Sequence, residues 1–464
     1  MSAESRTQAI ADRDQPAAAN PSTIDPHWAW APYRADAQRP WDLRRAGHLY
    51  RRAAFAANWD QLQRALVEGP QRTIDRLLEP AGDVAAFQQT YDEYEATAGD
   101  DGDNVSQWWL RRMIDSPHPL LEKMTLFWHN HFAAGIFKVG SGEWMRRYVQ
   151  LLRTHALGRL EPLMHAMAHD LAVLKGLGAN ANSRSDLNEN FARGLLELYC
   201  LGPGQSSPRD IHEAARAQTG WLIERGQLRY FERLHDSDVK TIFGQRGNWT
   251  VDDLLRIAVA QPATARWIVR KLYRWLVSES ETPSDALLAP LIESYAKDHD
   301  MSRLVGTVLR SNLFFSATAY RQRIKSPVEF AVGVIHSLEQ LVPTPPLVAD
   351  LVAMGQNLCD PPTSKGWEGG RTWITSATLI VRDNLAAALL APEGRYEGKL
   401  DPQVVLGRHG VRDRAVAKCW WDLLLQGDVR PEVRAALWSG RRESSSSSRT
   451  MVHGIITLPE FQLA

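Results

Sequence analysis

Three separate stretches of this chain repeat one helix-start pattern, and that repetition narrows the fold more than any other feature. Ser207-Pro208-Arg209-Asp210, Thr250-Val251-Asp252-Asp253 and Ser326-Pro327-Val328-Glu329 each set a hydroxyl residue before a helical run and an acid three positions later. The hydroxyl accepts from an amide that the first helical turn leaves without a partner, and the acid lies at the positive end of the peptide dipoles. Pro208 and Pro327 take the first helical position, where no amide hydrogen is needed. Gly202 after LLELYCL and Gly220 after AARAQT are the matching stops. A chain marked in this way is expected to be mainly α.

The expected architecture is a large irregular helical domain over residues 39–438, beginning in WDLRRAGHLYRRAAF, with one small β-hairpin. The hairpin is placed in LRYFERLHDSDVKTIFG (228–244), which alternates and carries turn residues at Asp236 to Asp238. Residues 1–38 lack periodicity and are read as a disordered N-terminal arm, and DDGDN (100–104) as a solvated loop. Residues 439–449 are a Ser-rich flexible segment, followed by a C-terminal tail (450–464) expected to pack on the domain.

Charge excludes some functions. Lys plus Arg and Asp plus Glu both total 54, so no net field favours nucleic acid. No apolar run reaches the roughly 18 residues of a membrane span. The first residues show no basic region followed by an apolar run, so no signal peptide is expected and the reading is cytoplasmic, unless the chain is exported with a signal-bearing partner. Cys200, Cys359 and Cys419 match neither a disulfide framework nor a zinc pattern and read as buried thiols. The 17 tryptophans are read mostly as core; exposed ones would suit stacking on sugar rings.

Four polar constellations stand out. In LLEKMTLFWHNHFAAG (120–135), His131 shares a face with Leu120, Met124, Phe127 and Trp128, while His129 lies on the stripe of Glu122 and is expected to pair with it. In SRSDLNENFARGLLELYCLG (183–202), Asp186 and Glu189 form a capping pattern. Glu189 to Arg193 is an i, i+4 pair, and Asn188 and Asn190 add amides. HDSDVK brings His235, Asp236 and Lys240 into one turn, and a His–Asp pair can orient an imidazole as base or ligand. CDPPTSKGWEGGRTWITSATLIVRDN supplies Lys365, Trp367 and Arg371 on a rigid Gly- and Pro-rich loop, with Thr375 or Ser376 capping the helix that follows.

In order along the chain, RRAGHLYRRAAF, PLLEKMTLFWHNHF, NENFARGLLEL, AARAQTGW, the HD…K…G hairpin, RIKSPVEF, PPTSKGWEGGRTWI and LPEFQLA resemble a bacterial family known as domain of unknown function 1800, over residues 41–464. One departure is Gly194, where the family usually has Glu after the Arg of this helix. The resemblance implies a mostly helical fold and no particular activity. It also implies a partner, since members are often encoded beside sulfatase- or phosphatase-like proteins.

Two functions are expected to compete. In one, the chain is an enzyme whose catalytic groups are His129, His131, Glu189, Arg193, His235, Asp236 and Lys240. Asn188, Asn190, Lys365, Trp367 and Arg371 would bind a glycan-like or phosphorylated substrate, and His129, Glu189, His235 and Asp236 could hold a divalent metal. In the other, it is a non-catalytic partner of a sulfatase- or phosphatase-like protein, and its polar motifs serve capping and helix-to-helix bonds.

Overall fold

The computed structural model of the chain describes residues 24–79, 84–97, 99–179, 182–437 and 447–464. Helices dominate these residues, and the three repeated start patterns are all capping boxes. Ser207, Thr250 and Ser326 accept from the third helical amide, and Asp210, Asp253 and Glu329 reach back to the cap amide. Thr375 does the same with Thr378. One apolar cluster runs from Ala29 through Trp108, Trp128 and Trp420 to Phe461, so the core is continuous from the first described helix to the last turn. No helix among the described residues is long and apolar enough to cross a membrane.

Part of the expected N-terminal arm is ordered. Asp25 caps a short helix, Pro26–Trp30, whose Trp30 indole donates to the Leu287 carbonyl at 2.6 Å. The Tyr33 amide bonds the Arg310 carbonyl at 2.7 Å, and both aromatics are buried. Burying two large rings orders this part of the arm although it has no helical or strand periodicity. Residues 1–23 lie outside the described residues, as do residues 438–446, which include most of the Ser-rich segment 439–449. Beyond them the Ser448–Ile456 helix buries Met451, Val452, Ile455 and Ile456, and the Ala464 amide bonds the Arg323 carbonyl at 2.8 Å.

Two other local expectations are corrected. Residues 100–104 form a helix start, because Asp101 caps Gly102–Asp115. The stretch 228–244 is divided between two hairpins. Strand β1 (Trp221–Glu224) pairs with β2 (Gln227–Tyr230), and β3 (Lys240–Ile242) with β4 (Gln245–Gly247). Each hairpin turns on two successive positive-φ residues, Arg225–Gly226 and Phe243–Gly244, the backbone that matches strand twist in a two-residue loop. Asp236 to Asp238 lie in the link between the hairpins.

Candidate functional site

The Pro119–Phe132 helix ends where Ala133 adopts φ 48°, and its last turn presents His129, Asn130 and His131. Residues two apart on a helix project about 200° apart, so the two histidines diverge. His129 packs between Trp109 and Tyr148, its Nδ1 3.3 Å from the Tyr148 hydroxyl, and burial pushes its pKa down to about 4. The expected Glu122 partner is taken by Arg153 at 2.7 Å.

His131 faces the other way, and a neighbouring helix end fixes its tautomer. The Glu189–Arg193 helix continues into a π-helical segment, Gly194–Cys200, that stops before Gly202. Carbonyls in a last helical turn have no donor ahead of them. Here the Leu198 carbonyl accepts from the Trp267 indole at 3.2 Å, and the Tyr199 carbonyl from His131 Nε2 at 3.0 Å. The Tyr199 hydroxyl in turn donates to the Phe132 carbonyl at 2.9 Å, so each helix end closes the other. With the proton on Nε2, Nδ1 keeps the lone pair, and Lys271 Nζ lies 2.9 Å from it.

Lys271 comes from the Pro262–Leu276 helix, where Trp267, Lys271 and Trp275 recur every four residues on one stripe. Its ammonium sits 4.8 Å from the Trp267 ring centroid, and no carboxylate among the described residues forms an ion pair with it. Burial pushes the Lys271 pKa down to about 8. Burial and the adjacent Lys271 charge hold His131 well below the ordinary histidine range.

A loop closes the other side. Gly366 adopts φ +82°, and a Cβ there would meet Asn130 Oδ1 at 2.1 Å and the Asn130 carbonyl at 2.3 Å, so only glycine lets the loop lie on the helix end. The Trp367 amide donates to Asn130 Oδ1 at 2.7 Å, and Arg274 donates to the Glu368 carbonyl at 3.0 Å. Between loop and helices lies a cleft of about 470 Å³. Phe127, Trp267, Tyr273, Trp275, Trp367 and Trp373 supply its aromatic lining, and its polar groups include His131, Lys271, Arg323 and Lys365 and the carboxylates Glu279, Glu281 and Glu368. Two buried donors on this lining, the Tyr273 hydroxyl and the Trp275 indole N–H, have no hydrogen-bond partner among the described residues. Trp367 and Trp373 are buried, so neither is the exposed sugar platform considered above.

Of the residues singled out in the sequence, His131, Lys365 and Trp367 line this cleft, and His129 lies behind it, 5.5 Å ring to ring from Trp367. The others do not join them. Asn188, not Asp186, caps its helix by accepting from the Phe191 amide, and its side chain also bonds the Gly178 carbonyl. Glu189 pairs with His212 at 2.8 Å rather than with Arg193, and Asn190 and Arg193 are exposed. His235 Nδ1 lies 3.0 Å from the Thr219 carbonyl. Asp236 holds Arg216 in a two-pronged bond, at 2.7 and 3.1 Å. Lys240 is spent on the Asp236 and Asp238 carbonyls and on Asn248. Arg371 is exposed outside the cleft.

The expected metal set of His129, Glu189, His235 and Asp236 is therefore not assembled. Among the described residues, one group of three side chains is spaced to hold an ion, His165, His169 and Asp252. The H-x-x-x-H spacing of His165 and His169 is the sequence signal for this group. Lys271 left only a weak signal, its four-residue spacing between two tryptophans.

A family model described as "Protein of unknown function (DUF1800)" matches residues 48–463. Neither the curated proteins nor the solved structures yield a match.

Proposed function

The chain belongs to the DUF1800 family, and from that premise we propose that it is an enzyme performing acid–base chemistry on an anion-bearing, glycan-like or phosphorylated substrate held in the cleft. One observation carries the reading: the Lys271 ammonium is fixed at 2.9 Å from a neutral His131 within an aromatic-walled cleft, and no carboxylate among the described residues forms an ion pair with it. A desolvated cation without a counter-ion is a site for an anion, and an amine that titrates near neutrality can give and take a proton at working pH. The half-buried Trp267 and Trp275 rings suit the faces of sugar rings.

In this reading Lys271 binds the substrate anion or donates to the oxygen on which charge develops, becoming a neutral amine that water reprotonates. His131 cannot compete for that proton, because burial keeps it neutral and its Nε2–H is committed to the Tyr199 carbonyl. It aims Lys271 instead. The test is thermal-shift and calorimetric titration with glucuronate and glucose phosphate. Both should stabilise the chain, and Lys271→Met should abolish the effect. Lys271→Arg should keep binding but lose turnover, since guanidinium does not titrate. Equal binding by wild type and Lys271→Met would defeat the reading.

A second reading, that the chain holds a sulfatase- or phosphatase-like partner, is favoured by Glu189 and Asp236 being spent outside the cleft on His212 and Arg216 of the Pro208–Ala217 helix, and Lys240 on carbonyls of its own loop. It expects a stable complex with such a protein that Lys271→Met leaves intact.

A further inference from the structure

We propose that His165, His169 and Asp252 form a second site, for a divalent transition-metal ion of the zinc type, where the Leu160–Ala168 and Val251–Val259 helices meet. One ligand atom from each of the three side chains lies within 4.8 Å of the other two. His165 and His169 are one helical turn apart, with ring centroids 4.7 Å apart. Asp252 comes from the facing helix, and its Oδ1 is 2.9 Å from His165 Nε2. Donors about 2.1 Å from a tetrahedral ion stand about 3.4 Å apart, so the triad needs to close by roughly an ångström. The half-exposed side chains of His165 and Asp252 can do so by small rotations.

Three details separate this group from a casual surface pair. His169 Nδ1 lies 2.9 Å from the His165 carbonyl, so its proton is committed to the backbone and its other ring nitrogen keeps a lone pair. Such an outer bond is what usually orients a metal-binding imidazole. The His169 ring is also held edge-on by Trp221, with centroids 4.8 Å apart. Asp252 is not needed for its helix, because Asp253 completes the Thr250 capping box and pairs with Arg256.

Two imidazoles and one carboxylate suit zinc, cobalt or nickel better than calcium or magnesium. With His165 and Asp252 half exposed, an ion here keeps positions open to water or a further ligand, the arrangement of an open rather than a closed site. His169 also borders a groove of about 440 Å³ that includes Arg147 and Asp170, which leaves room beside the ion.

The experiment uses the full chain stripped of metal with a chelator, then titrated with zinc by calorimetry and with cobalt by visible absorption. One equivalent should bind, the cobalt form should show ligand-field bands of imidazole coordination, and zinc should raise the melting temperature. His165→Ala, His169→Ala and Asp252→Asn should each weaken zinc binding by about 10-fold or more. Their metal-free melting temperatures should stay near wild type for the two exposed positions, while His212→Ala should bind zinc normally. The proposal fails if no stoichiometric zinc binds. It also fails if the His165→Ala/Asp252→Asn double variant binds zinc as wild type does, or if His212→Ala abolishes binding.

Discussion

The Glu329 carboxylate meets the Lys123 ammonium in an ion pair shut away from water, with side chains 1% and 0% exposed. The same carboxylate accepts from Arg323 at 3.2 Å and closes the Ser326 capping box. Arg323 lines the cleft and lies 3.7 Å from Glu279, so a helix cap that is plain in the sequence also anchors the floor of the site.

Removing that carboxylate strands the buried Lys123 and leaves buried Arg323 with only the more distant Glu279. Glu329→Ala should therefore destabilise the fold by about 3–5 kcal/mol in urea unfolding. Replacing both partners, as in Lys123→Met/Glu329→Gln, should cost less than the single change, because only Arg323 then loses part of its pairing. A double variant worse than Glu329→Ala would contradict this account.

The same group sets an acid limit. Burial alone would raise its pKa, but the charges of Arg323 and Lys123 outweigh burial and hold the Glu329 carboxyl well below the usual range. The unfolded chain then takes up a proton near the ordinary Glu pKa of about 4.3 while the folded chain does not. The stability this pairing gives is complete above that pH and is lost progressively as pH falls below it. Glu329→Gln should show a flatter loss of stability than wild type in acid.

Lys271 should titrate near pH 8, where burial sets it, rather than in the ordinary lysine range. Its acylation by a small anhydride should rise through that pH, followed by mass spectrometry of the peptide. Glucuronate, whose charge is constant there, should bind progressively more weakly as the amine loses its proton. Affinity unchanged from pH 7 to 10 would remove Lys271 from the proposed anion site.

Gly366→Ala should lift the loop from the Asn130 helix end, since the added methyl meets both Asn130 oxygens and the backbone lies at φ +82°. A loss of more than about 1 kcal/mol is expected. Trypsin should then cut faster after the exposed Lys365, and glucuronate binding should weaken with it.

The three thiols should be inert in the native state. All are buried, and burial pushes Cys200 and Cys359 up to about 12 and Cys419 up to about 11. A disulfide reagent at pH 8 should react with them only after denaturant is added.

Local chemistry was readable because its partners lie a few residues apart. The Ser207, Thr250 and Ser326 caps and the histidine divergence at 129 and 131 follow from helical geometry within one or two turns. Asp186 and Glu189 failed as a cap because Asn188 offered a competing acceptor to the Phe191 amide and His212 offered Glu189 a partner from another helix. The residues 228–244 failed as one hairpin because β2 found its partner upstream, across Arg225–Gly226, and β3 downstream, across Phe243–Gly244.

The sequence by itself determined that this chain is mainly helical, where its capped helices begin, and which family it joins, because capping and periodicity are short-range and repeat. Only the tertiary structure decided that His131 meets Lys271, 140 residues away, and that Gly366 lays Trp367 on Asn130. A long-range pair leaves no periodic trace; it exists because two helix ends and a loop pack together, and desolvation then gives its members their chemistry.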